Sequence, residues 1–201
     1  MEAKDSQHSH AVGQAPGPSR GRRRGLLIAV LLMLIGAGVM LYPKMTDVRY
    51  AWAQWRLEAG VADAQGGGVS LPDGAVALLE IPAIGLRAYV LEGTSRPVLA
   101  EGPGHYPGTP LPGESGNSAI AGHRTMYGHP FRDLDLLEPG DEILTSTADC
   151  TAVYRVVRVV VVYPGQTEVV AQTDDDRLTL TACQPKGSAS RRLVVMAERT
   201  E

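Results

Sequence analysis

Residues 26–42 read LLIAVLLMLIGAGVMLY, a run without one charged side chain. As a helix, 17 residues rise about 26 Å, slightly less than the roughly 30 Å hydrocarbon core of a bilayer. Gly25 and the aromatic end at Tyr42 extend the run, which predicts a transmembrane anchor over residues 25–42. A cleaved signal peptide would carry an apolar region of about 7–15 residues followed at once by a small-residue cleavage site. Pro43, Lys44 and Met45 follow instead, and the nearest A-x-A pattern, Ala62-Asp63-Ala64, lies well downstream. The cluster Arg20, Arg22, Arg23 and Arg24 precedes the run. Basic flanks stay on the cytoplasmic side, so a single-pass type II protein of the cell membrane is expected, its larger part extracellular.

That orientation divides the chain. Residues 1–24 are polar, rich in Gly, Pro, Ser and Arg, and are expected to form a disordered cytoplasmic tail. Their balance is +3, against −6 from Pro43 onward, within a net charge of −3. Phosphate binding needs positive charge on the folded part, which argues against nucleic acid as a partner. Residues 43–74 are expected to be a juxtamembrane helix and linker. In Asp47–Ala59, Val48, Trp52, Trp55 and Ala59 recur at helical spacing, so the segment reads either as a helix at the membrane surface or as a plain spacer. AQGGGVSLPD, residues 64–73, has the composition of a flexible linker.

From residue 75 the texture is that of strands. The 23 Gly and 14 Pro of the whole chain favour a loop-rich β protein. Candidate strands are residues 76–81, 86–91, 117–121, 142–147, 151–163, 177–183 and 193–198, the fifth dense in Val. Nine of the fifteen residues 102–116 are Gly or Pro, which predicts a long irregular loop. Residues 131–137 read as a turn or short helix. About seven strands with turn signals between them suggest a closed barrel or sandwich.

Two cysteines, Cys150 and Cys183, are the only ones. In an exported protein their ordinary use is a single disulfide. Alternation along Leu178-Thr179-Leu180-Thr181-Ala182-Cys183, however, puts Leu178, Leu180 and Ala182 on the core face and the thiol on the opposite, polar face. A structural cysteine more often sits on the apolar face. A thiol displayed at a strand end suits a nucleophile, which needs an imidazole to take its proton and later return it. His8 and His10 fall in the tail. His123 ends the small-residue strand Ser118-Ala119-Ile120-Ala121-Gly122 and is the best candidate, whereas His105 and His129 read as solvated loop residues. Attack on an amide builds negative charge on oxygen, which a fixed cation stabilises. Arg191 and Arg192 open the last strand, and an antiparallel pairing would bring one of them beside the thiol. Cys150, after Asp149 in a turn, reads as an exposed, unpaired thiol.

Together these residues resemble the sortases over about residues 75–199. Three motifs carry the resemblance: Ala121-Gly122-His123-Arg124; Thr179-Leu180-Thr181-Ala182-Cys183, similar to T-L-x-T-C; and Arg192-Leu193-Val194-Val195, similar to R-L-hydrophobic-V. The resemblance implies an eight-stranded sortase-type β-barrel over residues 75–201, with short helices and long loops. It implies catalytic positions at His123, Cys183 and Arg192, and substrate contacts at Tyr127, Thr181 and Ala182. The surroundings of His123-Arg124-Thr125-Met126-Tyr127-Gly128 and of Cys183 look most like class E sortases of high-GC Gram-positive bacteria. There the residue matching Tyr127 is associated with an L-A-x-T-G sorting signal rather than L-P-x-T-G. One position departs from the pattern: Ala182 stands where the family usually has Thr before the nucleophile. The implied activity is a cysteine transpeptidase that cuts a C-terminal sorting signal between Thr and Gly and passes the protein to an amine of a lipid-linked cell-wall precursor. It needs no metal or cofactor, and no Cys/His pair here has zinc-ligand spacing. The alternatives are a cysteine hydrolase on the same scaffold and a non-catalytic, disulfide-bonded β module.

Overall fold

The computed structural model describes residues 20–61 and 70–200. The remainder of the expected tail (1–19) and most of the expected linker lie outside the described residues. One helix, α1 (Arg20–Val61), opens the described chain and begins within the segment expected to be unstructured. It contains a stretch long and apolar enough to cross a membrane, with a mean hydropathy of 2.5. The chain divides into two compact units, 1–41 and 42–201, so the second half of α1 belongs to the unit that holds all the strands.

Those strands are β1 (Ala75–Ile81), β2 (Leu86–Glu92), β3 (Gly104–His105), β4 (Asn117–Gly122), β5 (Glu142–Ser146), β6 (Thr151–Val162), β7 (Arg177–Gln184) and β8 (Arg191–Arg199). They close into a barrel in the order β1-β2-β3-β4-β7-β8-β6-β5. Seven fall on the candidate strands expected from the apolar and Val-rich runs. The eighth, β3, is two residues inside the Gly/Pro-rich loop; too short to show a period, it pairs parallel with β2 and antiparallel with β4 and so completes the closure. β4 and β7 are also parallel neighbours, and β7 and β8 antiparallel ones.

Inward-facing Leu79, Ile81, Val90, Ile120, Ile143, Tyr154, Val156, Leu178, Leu180 and Val195 fill the barrel, with Phe131 and Leu134 added from the loop after β4. Leu178, Leu180 and Ala182 belong to this core as the alternation predicts. The opposite face of β7 is polar but not solvated: Thr179 and Thr181 are buried, and Thr179 Oγ1 donates to Asn117 Oδ1 at 2.7 Å. Loops therefore cover β4 and β7 on their outer side.

Within the larger unit, the second half of α1 packs on the barrel through Ala53 and Leu57. Leu57 joins Leu78 and Tyr89 in a separate small apolar cluster. Because β3 pairs with β2 only at Leu91 and Glu92, the peptide groups of Tyr89 lack a strand partner on that side. The side chain of Gln54 takes the place: its Oε1 accepts from Tyr89 N at 2.8 Å, and its Nε2 donates to Tyr89 O at 3.3 Å and Glu101 O at 2.9 Å. Val48, Trp52 and Trp55 lie on the exposed side of this helix.

Candidate active site

β4 and β7 run side by side with Gly122 opposite Ala182, so the next residues, His123 just past the end of β4 and Cys183 within β7, stand at the same level. On the other flank of β7, Cys183 lies directly opposite Arg192 of β8. Adjacent strands are about 5 Å apart. His123, Cys183 and Arg192 thus form a row across three neighbouring strands, and all three line one cavity of about 200 Å³. Thr94, Leu99, Tyr106, Thr181 and Ala182 contribute to the same walls. Arg191, one step away in register, pairs with Gln184 and sets its guanidinium over the ring of Tyr163 at 5.7 Å.

Each member of the row is held locally. Gly122 precedes His123 because there is no room for a Cβ: one built there would lie 2.5 Å from the Phe131 ring. The Phe131 side chain fills that space. The amide of Phe131 donates back to His123 O at 3.0 Å. Burial lowers the pKa of the His123 imidazole, favouring the neutral ring, which can accept a proton. Tyr127 faces it, with ring centroids 5.1 Å apart. Arg192 Nη1 donates to Ala189 O at 3.0 Å and Arg191 O at 3.2 Å, holding the guanidinium against the β7–β8 turn. Thr181 Oγ1 is 3.0 Å from the Tyr106 hydroxyl, so the two share a hydrogen bond on the cavity wall.

Arg124, which the sequence offers only as the last residue of the motif Ala121-Gly122-His123-Arg124, is deeply buried. Its side chain is only 1% exposed. Nη1 donates to Gln184 Oε1 and, at 3.5 Å, to Cys183 O; Nη2 donates to Arg132 O at 3.1 Å and pairs with Asp135 Oδ1 at 2.7 Å. Burial pushes the Asp135 carboxyl up, but the bond and charge of Arg124, helped by Lys186, outweigh it and hold the carboxyl below its usual range. The buried guanidinium therefore ties the loop after His123 to the backbone of Cys183. Its only signal in the sequence was a charge adjoining the candidate histidine, which a solvated residue would give equally. Arg124→Met removes the guanidinium donor from the Arg132 and Cys183 carbonyls and breaks its ion pair with Asp135, a carboxylate that is itself solvent-exposed. Urea unfolding followed by Trp fluorescence should show a loss of about 2–3 kcal/mol.

Other expectations meet a different outcome. His105 is not a solvated loop residue. It is buried in β3, with Nδ1 2.8 Å from Oε2 of its β2 strand partner Glu92 and Nε2 3.0 Å from both Pro110 O and Thr109 Oγ1 of the folded loop. His129 is half-buried beside Tyr50 and Arg132. Cys150 and Cys183 are both free thiols, in agreement with the unpaired Cys150 expected, and no disulfide joins them. Cys150 is partly buried rather than exposed, its Sγ 3.5 Å from Thr147 Oγ1 at the β5–β6 turn. Cys150→Ser should leave peptide turnover within about twofold of wild type, since it changes no group lining the cavity. Among the described residues, no group of three or more His, Cys, Asp or Glu side chains is placed to hold a metal ion.

The sortase domain family matches residues 79–200. Sortase SrtE1 of Streptomyces coelicolor is 33% identical over 146 residues, which is 65% of this chain and 42% of that protein. Sortase D of Bacillus subtilis is 31% identical over 126 residues, 61% of this chain and 62% of that one. The chain thus spans less than two thirds of either relative. Among solved structures, sortase E1 from Streptomyces coelicolor with a tripeptide in its active site superposes with a TM-score of 0.59 at 30% identity, covering 65% of this chain and 90% of that chain.

Proposed function

This chain belongs to the sortase family and is class E-like, and we propose that it is a membrane-anchored transpeptidase in which Cys183 is the nucleophile, His123 the proton carrier and Arg192 the oxyanion clamp. The observation that carries this reading is the His123–Cys183–Arg192 row across β4, β7 and β8, open to a single cavity.

The substrate is an exported protein whose C-terminal sorting signal, of L-A-x-T-G or L-P-x-T-G type, enters that cavity. The thiol sulfur attacks the Thr carbonyl carbon while its proton passes to the neutral imidazole of His123. Negative charge gathers on the carbonyl oxygen, where the Arg192 guanidinium, with five N–H donors, stabilises it. Collapse breaks the Thr–Gly bond; His123 returns the proton to the departing glycine amine, and a thioester to Cys183 remains. An amine on a lipid-linked cell-wall precursor then attacks the thioester and gives a proton to His123; the new amide forms as the C–S bond breaks, and His123 passes that proton to the departing sulfur, restoring the thiol. Tyr127, beside His123, and Thr181 and Ala182, on the cavity wall, contact the signal. With Ala182 in the place usual for Thr, position 182 brings no hydroxyl to that wall, and the proposed clamp on the oxyanion falls to Arg192.

The apolar stretch of α1 supports a membrane anchor, and the preceding arginines support a type II orientation that puts the barrel outside with its substrates. The test is incubation of the purified chain with L-A-x-T-G and L-P-x-T-G peptides, with and without an added amine, followed by mass analysis of products. Cleavage between Thr and Gly with an amine-dependent new product supports the transpeptidase. Cleavage whose only product is the free acid, whatever the amine concentration, favours the cysteine hydrolase, and no cleavage of either peptide overturns the substrate assignment.

A further inference from the structure

The loop that follows His123 turns through three successive positive-φ positions and is backbone-strained at two of them. Tyr127 (φ 52°), Gly128 (φ 67°) and His129 (φ 42°) all occupy the left-handed region, and two of them carry side chains. Non-glycine residues persist there only when their surroundings over-determine the conformation. Much of the restraint comes from the second half of α1, some 80 residues earlier in the chain. Asp47 Oδ1 accepts from Gly128 N at 2.9 Å, and the buried Thr46 places its Oγ1 3.5 Å from Tyr127 N. The Tyr50 ring closes over Gly128 so tightly that a Cβ there would lie 2.1 Å from it. Burial in this contact pushes the Tyr50 hydroxyl up to about 12. The helix is itself fastened to β2 by the Gln54–Tyr89 bonds, and Arg49 pairs with Glu101 at 3.1 Å.

We propose that residues 43–61 are a working part of the active site, with Asp47 as a positioning residue that holds the Tyr127–Gly128 turn in its strained form and so sets the aim of the Tyr127 ring at His123 and the incoming signal peptide. The charged acceptor at Gly128 N is the strongest single restraint, because a hydrogen bond to an ionised group is roughly twice as strong as a neutral one. The turn's own bonds, such as His129 N to Met126 O at 3.0 Å, close it locally but do not fix it to the barrel. Chemistry at Cys183 does not depend on this contact; placement of the peptide does. The inference rests on the proposed role of Tyr127 in meeting the sorting signal.

The test compares the full chain in detergent micelles with Asp47→Ala and Asp47→Asn, the latter keeping an oxygen acceptor. Two readouts are taken: deuterium exchange of fragments covering residues 124–130, and steady-state kinetics on the two peptides. Asp47→Ala should speed exchange in that segment about tenfold, leave β7 and β8 protected, raise KM about tenfold and narrow the preference between the peptides, with kcat much less affected. Asn should restore most of the difference. Unchanged exchange, or faster exchange with wild-type KM and preference, overturns the inference, as does an Asn variant as impaired as Ala. If the wild type cleaves neither peptide, the substrate reading fails, and the exchange readout alone decides whether Asp47 holds the turn.

Discussion

Cys183→Ala lowers kcat/KM for the sorting-signal peptide on the order of 10⁴-fold or more, with the fold intact. Removing a nucleophile that forms the covalent intermediate removes the reaction path itself, and the remaining groups supply only binding and charge stabilisation. Cys183 is only half-buried at the end of β7 and contributes no side-chain packing to the barrel core, so melting should move little. Cys183→Ser is the sharper probe. It keeps the register opposite Arg192, yet an alcohol is a far weaker nucleophile than a thiol near neutral pH, so it too should be severely impaired. Release of the Gly-terminated fragment, followed by chromatography with excess enzyme, measures both. A variant lacking the thiol that cleaves within tenfold of wild type would remove Cys183 from the chemistry.

The second large effect is at Arg192. Arg192→Ala should cost about 10²–10³ in kcat, the usual loss on deleting one donor to a developing oxyanion. Because the role is electrostatic and geometric together, Arg192→Lys should recover part of the rate and not all of it: the charge remains, but the planar fork does not. Arg191→Ala is the control. Its guanidinium stacks on Tyr163 and its strand partner is Gln184, so kcat should stay within about twofold. Equal losses at both arginines would point to general cationic character at this edge of the barrel rather than to a clamp. Measuring kcat at saturating peptide keeps a weaker ground-state contact from passing for a catalytic one.

Local pattern carried far in this chain. An uncharged run between an arginine cluster and Pro43 was enough to mark the apolar helix, because crossing a bilayer is a question of length and composition. Short apolar and Val-rich runs between turn signals located seven strands within a residue or two, and alternation along β7 put Leu178, Leu180 and Ala182 in the core, because each side chain's face follows from its own position along the strand. The order of three motifs carried the family. What alternation cannot express is which strand lies beside which. The two-residue β3 leaves no periodic trace, and it exists only because β2 and β4 flank it.

The candidate site was decided at that second level. Choosing between Arg191 and Arg192 as the neighbour of the thiol is a matter of β7–β8 register, and a one-residue slip would exchange them. His105 looked like a solvated loop residue in the sequence, and Arg124 stood there only as the end of the motif that holds His123. They are buried because the folded loops bring carbonyls and carboxylates to them, partners remote in the chain or set by loop conformation. The helix after Pro43 read as a spacer or a surface element, since its exposed Val48, Trp52 and Trp55 make the visible stripe. Its other face, Thr46, Asp47, Tyr50, Ala53, Gln54 and Leu57, mixes polar with apolar residues and gives no hydrophobic signal. It meets barrel groups that are themselves mixed, a strand edge at Tyr89 and a strained turn at Gly128, and complementarity of that kind exists only between surfaces already folded.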